Sequence, residues 1–173
     1  MQPTRPVRAF SLLEVIIALS LFAGAVTVII SLLPTLGRQS AVASDRQLAQ
    51  RLPDDLKGEL MRLANAGLDS LAAQIPVMNG PLADGFELVA DRDGTRVQSR
   101  AYLPPASGRL AADQQYFLLE CWRYPDEPLR FANEKAFLAV VVQVSWPYRL
   151  PGSDVPIAAA SRTRFLFTVS LTR

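Results

Sequence analysis

Between Arg8 and Arg38 the sequence carries a single charged side chain, Glu14, and the 23 residues from Val15 to Gly37 carry none. A helix of roughly 20 apolar residues crosses the ~30 Å hydrocarbon layer of a bilayer, so this run is long enough to be a membrane span. A carboxylate at the start of such a run is costly in lipid and calls for a partner or a route to water. Glu14 therefore has two readings from position alone: a functional group within the assembly, or an acid that reaches back to the headgroups from the helix start. Arg5 and Arg8 precede the run, which holds the N-terminus on the cytoplasmic side and sends the remainder outward.

The residues around Glu14 carry a resemblance. A short leader (1–9, with Arg5 and Arg8), the small residue Ala9, then Phe10, with Glu14 fifth counting from that Phe, resemble the cleavage and methylation signal of type IV pilin-like proteins, including the pseudopilins of type II secretion. That resemblance implies cleavage by a prepilin peptidase between Ala9 and Phe10, N-methylation of Phe10, and filament assembly in which Glu14 pairs with the new amino terminus of a neighbouring subunit. Such a pair neutralises two charges that are each expensive in hydrocarbon. The family usually has Gly before the cut, where this chain has Ala9.

Two other N-termini remain open on the sequence. Ala41-Val42-Ala43 fits the small-residue pattern of an ordinary secretory signal cut before Ser44, although the apolar run is about twice the usual 7–15-residue core and Arg38 separates it from that cut. The run can equally be a permanent anchor for an unrelated binding domain.

With a leader and an anchor set aside, about 120 of the 173 residues remain for one domain with one modest core. Removing Arg5 and Arg8 leaves 16 basic against 16 acidic side chains, so no basic surface calls for nucleic acid. The absence of histidine removes the commonest general base and zinc ligand, and composition points to a protein that is not an enzyme and needs no cofactor or metal. A lone Cys121, within Phe117-Leu118-Leu119-Glu120-Cys121-Trp122, can form no intrachain disulfide and reads as a small buried hydrophobe.

Beyond the apolar run, Leu48, Leu52, Leu56, Leu60 and Leu63 line one helical face. Pro34 predicts a bend, and Pro53, followed by Asp54 and Asp55, predicts a break with a restarted helix. Residues 66–85 read as loop. The pattern then turns to strands at Gly85–Asp91, Thr95–Leu103, Tyr116–Tyr124, Ala136–Trp146 and Arg162–Leu171, the first two joined by a two-residue Asp93-Gly94 hairpin turn. Without crossover helices these strands form an antiparallel sheet. The expected fold class is α+β: a leader (1–9), a membrane helix (10–36), an extracytoplasmic helical stalk (37–66) and an antiparallel sheet domain (67–173). Helix first and sheet after is the order of the pilin fold. Val140 to Pro147, ending in Ser-Trp-Pro, resembles the corresponding strand of minor pilins and pseudopilins, and Leu32-Leu33-Pro34 resembles the pilin-like Verru_Chthon cassette B group.

Other clusters combine residue types that chemistry uses. Asp91-Arg92-Asp93-Gly94 begins like a calcium loop, but Tyr102 stands where the bidentate glutamate belongs, and a plain turn is the better reading. Asp126-Glu127, with Glu120 nearby, is the closest approach to a paired-carboxylate site; Pro125 and Pro128 bracket it as exposed loop. Trp122, Tyr124, Trp146 and Tyr148 either close the core edge or form a contact patch, and the loop from Pro104 to Asp113 has the composition of a recognition surface. The sequence thus leads to a minor pilin or pseudopilin in the inner membrane, single-pass, its C-terminal domain in the periplasm or outside the cell. Its partners would be other pilin-like subunits, the prepilin peptidase and membrane lipid. The alternative is a monomeric anchored binding domain.

Overall fold

A computed structural model describes residues 11–80, 84–100 and 108–172, apart from the side chains of 35–38 and 41. The chain forms two compact units, 1–44 and 45–173. Ala9 and Phe10, the proposed cut, lie outside the described residues, as do Leu103 and residues 104–107 of the loop read as recognition surface.

The first unit is built on helix α1 (Leu12–Ala49). Ser11 caps it: its hydroxyl oxygen and carbonyl both accept from the Glu14 N–H, at 3.2 and 3.1 Å, which satisfies one of the helix-start donors. The Ser20, Thr27 and Ser31 hydroxyls donate back to the carbonyls of Ile16, Ala23 and Val28 at 2.8, 2.8 and 2.7 Å. Each polar side chain described between Leu12 and Pro34, other than Glu14, is thereby satisfied within its own helix, which lowers the cost of placing it in an apolar environment. Leu12–Pro34 has a mean hydropathy of 2.6 and none of it is buried by the chain. It is a helix long and apolar enough to cross a membrane. Pro34 lies inside α1, which continues through it to Ala49.

In the second unit, α1 ends at Ala49, turns at Gln50 and Arg51, and gives way to α2 (Leu52–Leu63), with Pro53 and the carboxylates of Asp54 and Asp55 in its first turn. Proline costs nothing there because that N–H has no helical acceptor, so the helix breaks at the expected place. A helix not expected from the sequence, α3 (Leu68–Gln74), occupies part of the stretch read as loop. It is short, starts after Gly67 at φ +104° and stops before Ile75-Pro76, yet Leu68, Leu71 and Ala72 bury one face. Two turns offer too little repeat for periodicity to register.

Five strands follow: β1 (Phe86–Ala90), β2 (Val97–Ser99), β3 (Phe117–Arg123), β4 (Phe137–Trp146) and β5 (Thr163–Thr172). All pairs are antiparallel, in the order β2-β1-β3-β4-β5. The architecture is α+β. Alternation puts Leu138, Val140, Val142, Val144 and Trp146 of β4, with Val169 and Leu171 of β5, on one face, where Leu52, Leu56 and Leu60 of α2 and Leu71 and Ile75 complete the core. The opposite face carries a smaller cluster of Val89, Leu110, Leu118 and Tyr148.

The β1–β2 connection differs from the two-residue turn expected. Ala90 pairs with Val97, Asp91 N–H donates to Arg96 O at 3.3 Å, and Gly94, at φ +73°, donates to Asp91 O at 3.1 Å. The loop is four residues, Arg92 to Thr95, because the Asp91 carboxylate accepts from the Arg96 N–H (3.2 Å), Arg96 Nε (3.1 Å) and the Thr95 hydroxyl (3.3 Å), taking the place of the Asp91 carbonyl in the last rung of strand pairing. β2 begins correspondingly late, at Val97.

Candidate functional site

Glu14 sits in the first turn of α1, exposed, its N–H held by Ser11. Val15, Ala18, Leu19 and Phe22 border it in a shallow apolar groove, with positions 14, 18 and 22 stacked at four-residue intervals along one face. Among the described residues the carboxylate has no side-chain partner. Its place in the first turn lets it face the positive end of the helix dipole, and among the described residues no cation pairs with it. An acid heading an apolar face is a group that a basic nitrogen from another molecule can reach.

The other candidates resolve into structural roles. The oxygens of Asp91 are committed to the β1–β2 loop as described. Glu120 lies in β3 and accepts from Gln143 Nε2 across the strand pair at 3.1 Å, whereas the exposed Glu127 accepts from Lys135 Nζ at 2.5 Å. The Asp126-Glu127 loop and Glu120 therefore have separate partners. Cys121 is fully buried, and burial, with a smaller contribution from the Glu120 charge, pushes its thiol far above the ordinary range. Trp122, Trp146 and Tyr148 are buried, so of the four aromatics weighed as a contact patch only Tyr124 remains partly exposed, its hydroxyl 2.7 Å from Thr168 Oγ1. The Trp122 indole lies directly over Gly85, where a Cβ would fall 2.7 Å from the ring.

Two arrangements carried no sequence signal. The Tyr116 hydroxyl donates to Asp45 Oδ2 at 2.7 Å, with Arg92 3.8 Å from Asp45 Oδ1 and stacked 5.1 Å above the Tyr116 ring. This ties residues 71 positions apart and fixes the start of β3 to the end of α1. Burial first, then the bond to Asp45, raises the Tyr116 phenol to about 12. The second is a pocket lined by Arg123 and Arg130, assembled from three separate segments.

No family model matches the chain, and neither the curated proteins nor the solved structures compared with it contain a match.

Proposed function

We propose that this protein is a structural, non-enzymatic subunit of a type IV pilin-like filament, a minor pilin or pseudopilin anchored in the inner membrane before assembly. The observation that carries the reading is Glu14: the only charge between Arg8 and Arg38, at the capped start of a helix of which no residue from Leu12 to Pro34 is buried among the described residues. Lipid covers such a helix before assembly, and the helices of neighbouring subunits cover it afterwards. The organisation around it, an apolar helix followed by an antiparallel sheet, supports the same reading.

In this mechanism the leader stays in the cytoplasm, prepilin peptidase cuts between Ala9 and Phe10, and the new amine of Phe10 is methylated. A cationic terminus is then available to the Glu14 carboxylate of an adjoining copy, and their pairing sets the axial register of the helices. Pairing is favoured because each partner alone is an uncompensated charge in hydrocarbon, while the serine and threonine hydroxyls nearby are already satisfied. The sheet unit carries the surface presented to other subunits or cargo.

The test is Glu14→Ala, assayed by membrane insertion, leader processing and recovery in sheared or cross-linked filaments. Insertion and processing continue, while incorporation falls at least about tenfold, the factor that ~1.4 kcal/mol of lost pairing produces. Unchanged incorporation refutes the assembly role and leaves a monomeric anchored domain as the account of the chain.

A further inference from the structure

The end of β3, the segment after α3 and the loop before β4 enclose a pocket of about 450 Å³ lined by Val77, Asn79, Arg123, Tyr124, Pro125, Arg130 and Phe131. Arg123 and Arg130 are among its lining residues, and no acidic residue is among those described. Among the described residues neither arginine has an ion-pair partner. Of the acids near them in sequence, Glu127 pairs with Lys135, Glu120 accepts from Gln143, and Asp126 and Glu134 are exposed, the Asp126 carbonyl accepting the Arg130 N–H at 2.9 Å. Both residues bring a positive charge to the wall of one pocket, the charge an anion would complement.

The walls are held in place. Arg123 Nε donates to the Ile75 carbonyl at 2.7 Å, and its backbone is bridged to the segment after α3 through Arg123 N–H to Pro76 O (2.8 Å) and Met78 N–H to Arg123 O (3.0 Å). The loop bearing Arg130 and Phe131 is gathered by Lys135, whose Nζ donates to Glu127 Oε2 and to the carbonyls of Pro128 and Arg130, the latter two at 2.8 Å. Phe131 packs against the main core. Guanidinium groups match the two oxygens of a carboxylate, and Val77, Pro125 and Phe131 supply apolar surface beside them.

We propose that this pocket binds a carboxylate carried on an apolar body, either a small organic acid or an acidic side chain flanked by apolar residues on a partner polypeptide. The test uses the full-length chain in detergent micelles, with protein-free micelles as the partition control, and measures equilibrium binding of phenylacetate, phenylacetamide, inorganic phosphate and the capped tripeptide acetyl-Leu-Glu-Phe-amide. Phenylacetate and the peptide bind saturably, phenylacetamide at least about tenfold more weakly, and Arg130→Gln weakens both acids at least about tenfold while Arg130→Lys, which keeps the charge but not the fork, falls between. Arg130 is exposed, so its replacement leaves the fold intact; circular dichroism checks this. Tighter binding of the peptide assigns the site to a partner polypeptide, and tighter binding of phenylacetate assigns it to a small acid. Equal affinity for the amide, affinity unchanged in Arg130→Gln, binding of phosphate alone, or no saturable binding of either acid up to ~10 mM overturns the proposal.

Discussion

Adding one methyl group at Gly85 tests the packing of the sheet unit. A Cβ there falls 2.7 and 2.8 Å from two carbons of the Trp122 indole and 3.1 Å from Glu120 Cβ. Carbon atoms pack at about 3.5–4.0 Å, so the ring or the strand has to move by close to 1 Å. Trp122 is only 1% exposed, so the ring moves only by displacing its packed neighbours. Overpacking of this kind costs about 1–3 kcal/mol, and the lower chain entropy of unfolded alanine returns about 0.4–1 kcal/mol. Gly85→Ala is therefore expected to lose about 1–2 kcal/mol, a fall in Tm of roughly 5 °C for a domain of this size. Urea unfolding of the detergent-solubilised chain, followed by circular dichroism, measures it. The cause is checked by coupling: a Trp122→Phe background removes the two contacting indole carbons and leaves the 3.1 Å approach to Glu120 Cβ, so the same glycine change costs at least about 0.5 kcal/mol less there. A Gly85→Ala protein as stable as the parent, or one destabilised equally in both backgrounds, refutes the argument.

Tyr116 predicts an alkaline dependence. Its folded pKa of about 12 lies above the ordinary 10, so the bond to Asp45 contributes fully below pH 10 and is lost as pH rises through 12. Tyr116→Phe should cost about 1–2 kcal/mol near pH 8, with the gap to the parent closing between pH 10 and 12; a gap independent of pH contradicts the assignment. Cys121, fully buried with its thiol pushed up, should resist iodoacetamide at pH 8 at a rate set by unfolding, and stoichiometric labelling of the native protein within minutes would overturn its burial.

The parts of the fold that periodicity governs were legible in sequence. β5 alternates because one face meets the core, β4 reads as a strand from its β-branched run although both its faces are largely buried, and the leucines of α2 recur at helical spacing because one side of that helix meets the sheet. Pro53 marked the helix break because its missing N–H is tolerated only in a first turn. α3 went unread because two turns leave too few repeats. The β1–β2 loop was misread because the Asp93-Gly94 pair signals a tight turn while the deciding interaction, the Asp91 carboxylate on Arg96 and Thr95, depends on geometry across the loop. Glu14 stood out because one charge in an apolar run is conspicuous in any composition. Arg123 and Arg130 did not, since their shared pocket exists only once the segment after α3 is bridged to the end of β3 and Lys135 has closed the following loop. The Asp45–Tyr116–Arg92 contact is likewise a product of the tertiary fold.

Intact-mass and N-terminal peptide mass spectrometry of the protein purified from its native membrane tests the central claim most directly. Assembly through Glu14 requires a polypeptide beginning at an N-methylated Phe10, and that is the predicted species. A mature chain that still begins at Met1, or one that begins at Ser44 and has lost Glu14 altogether, contradicts it.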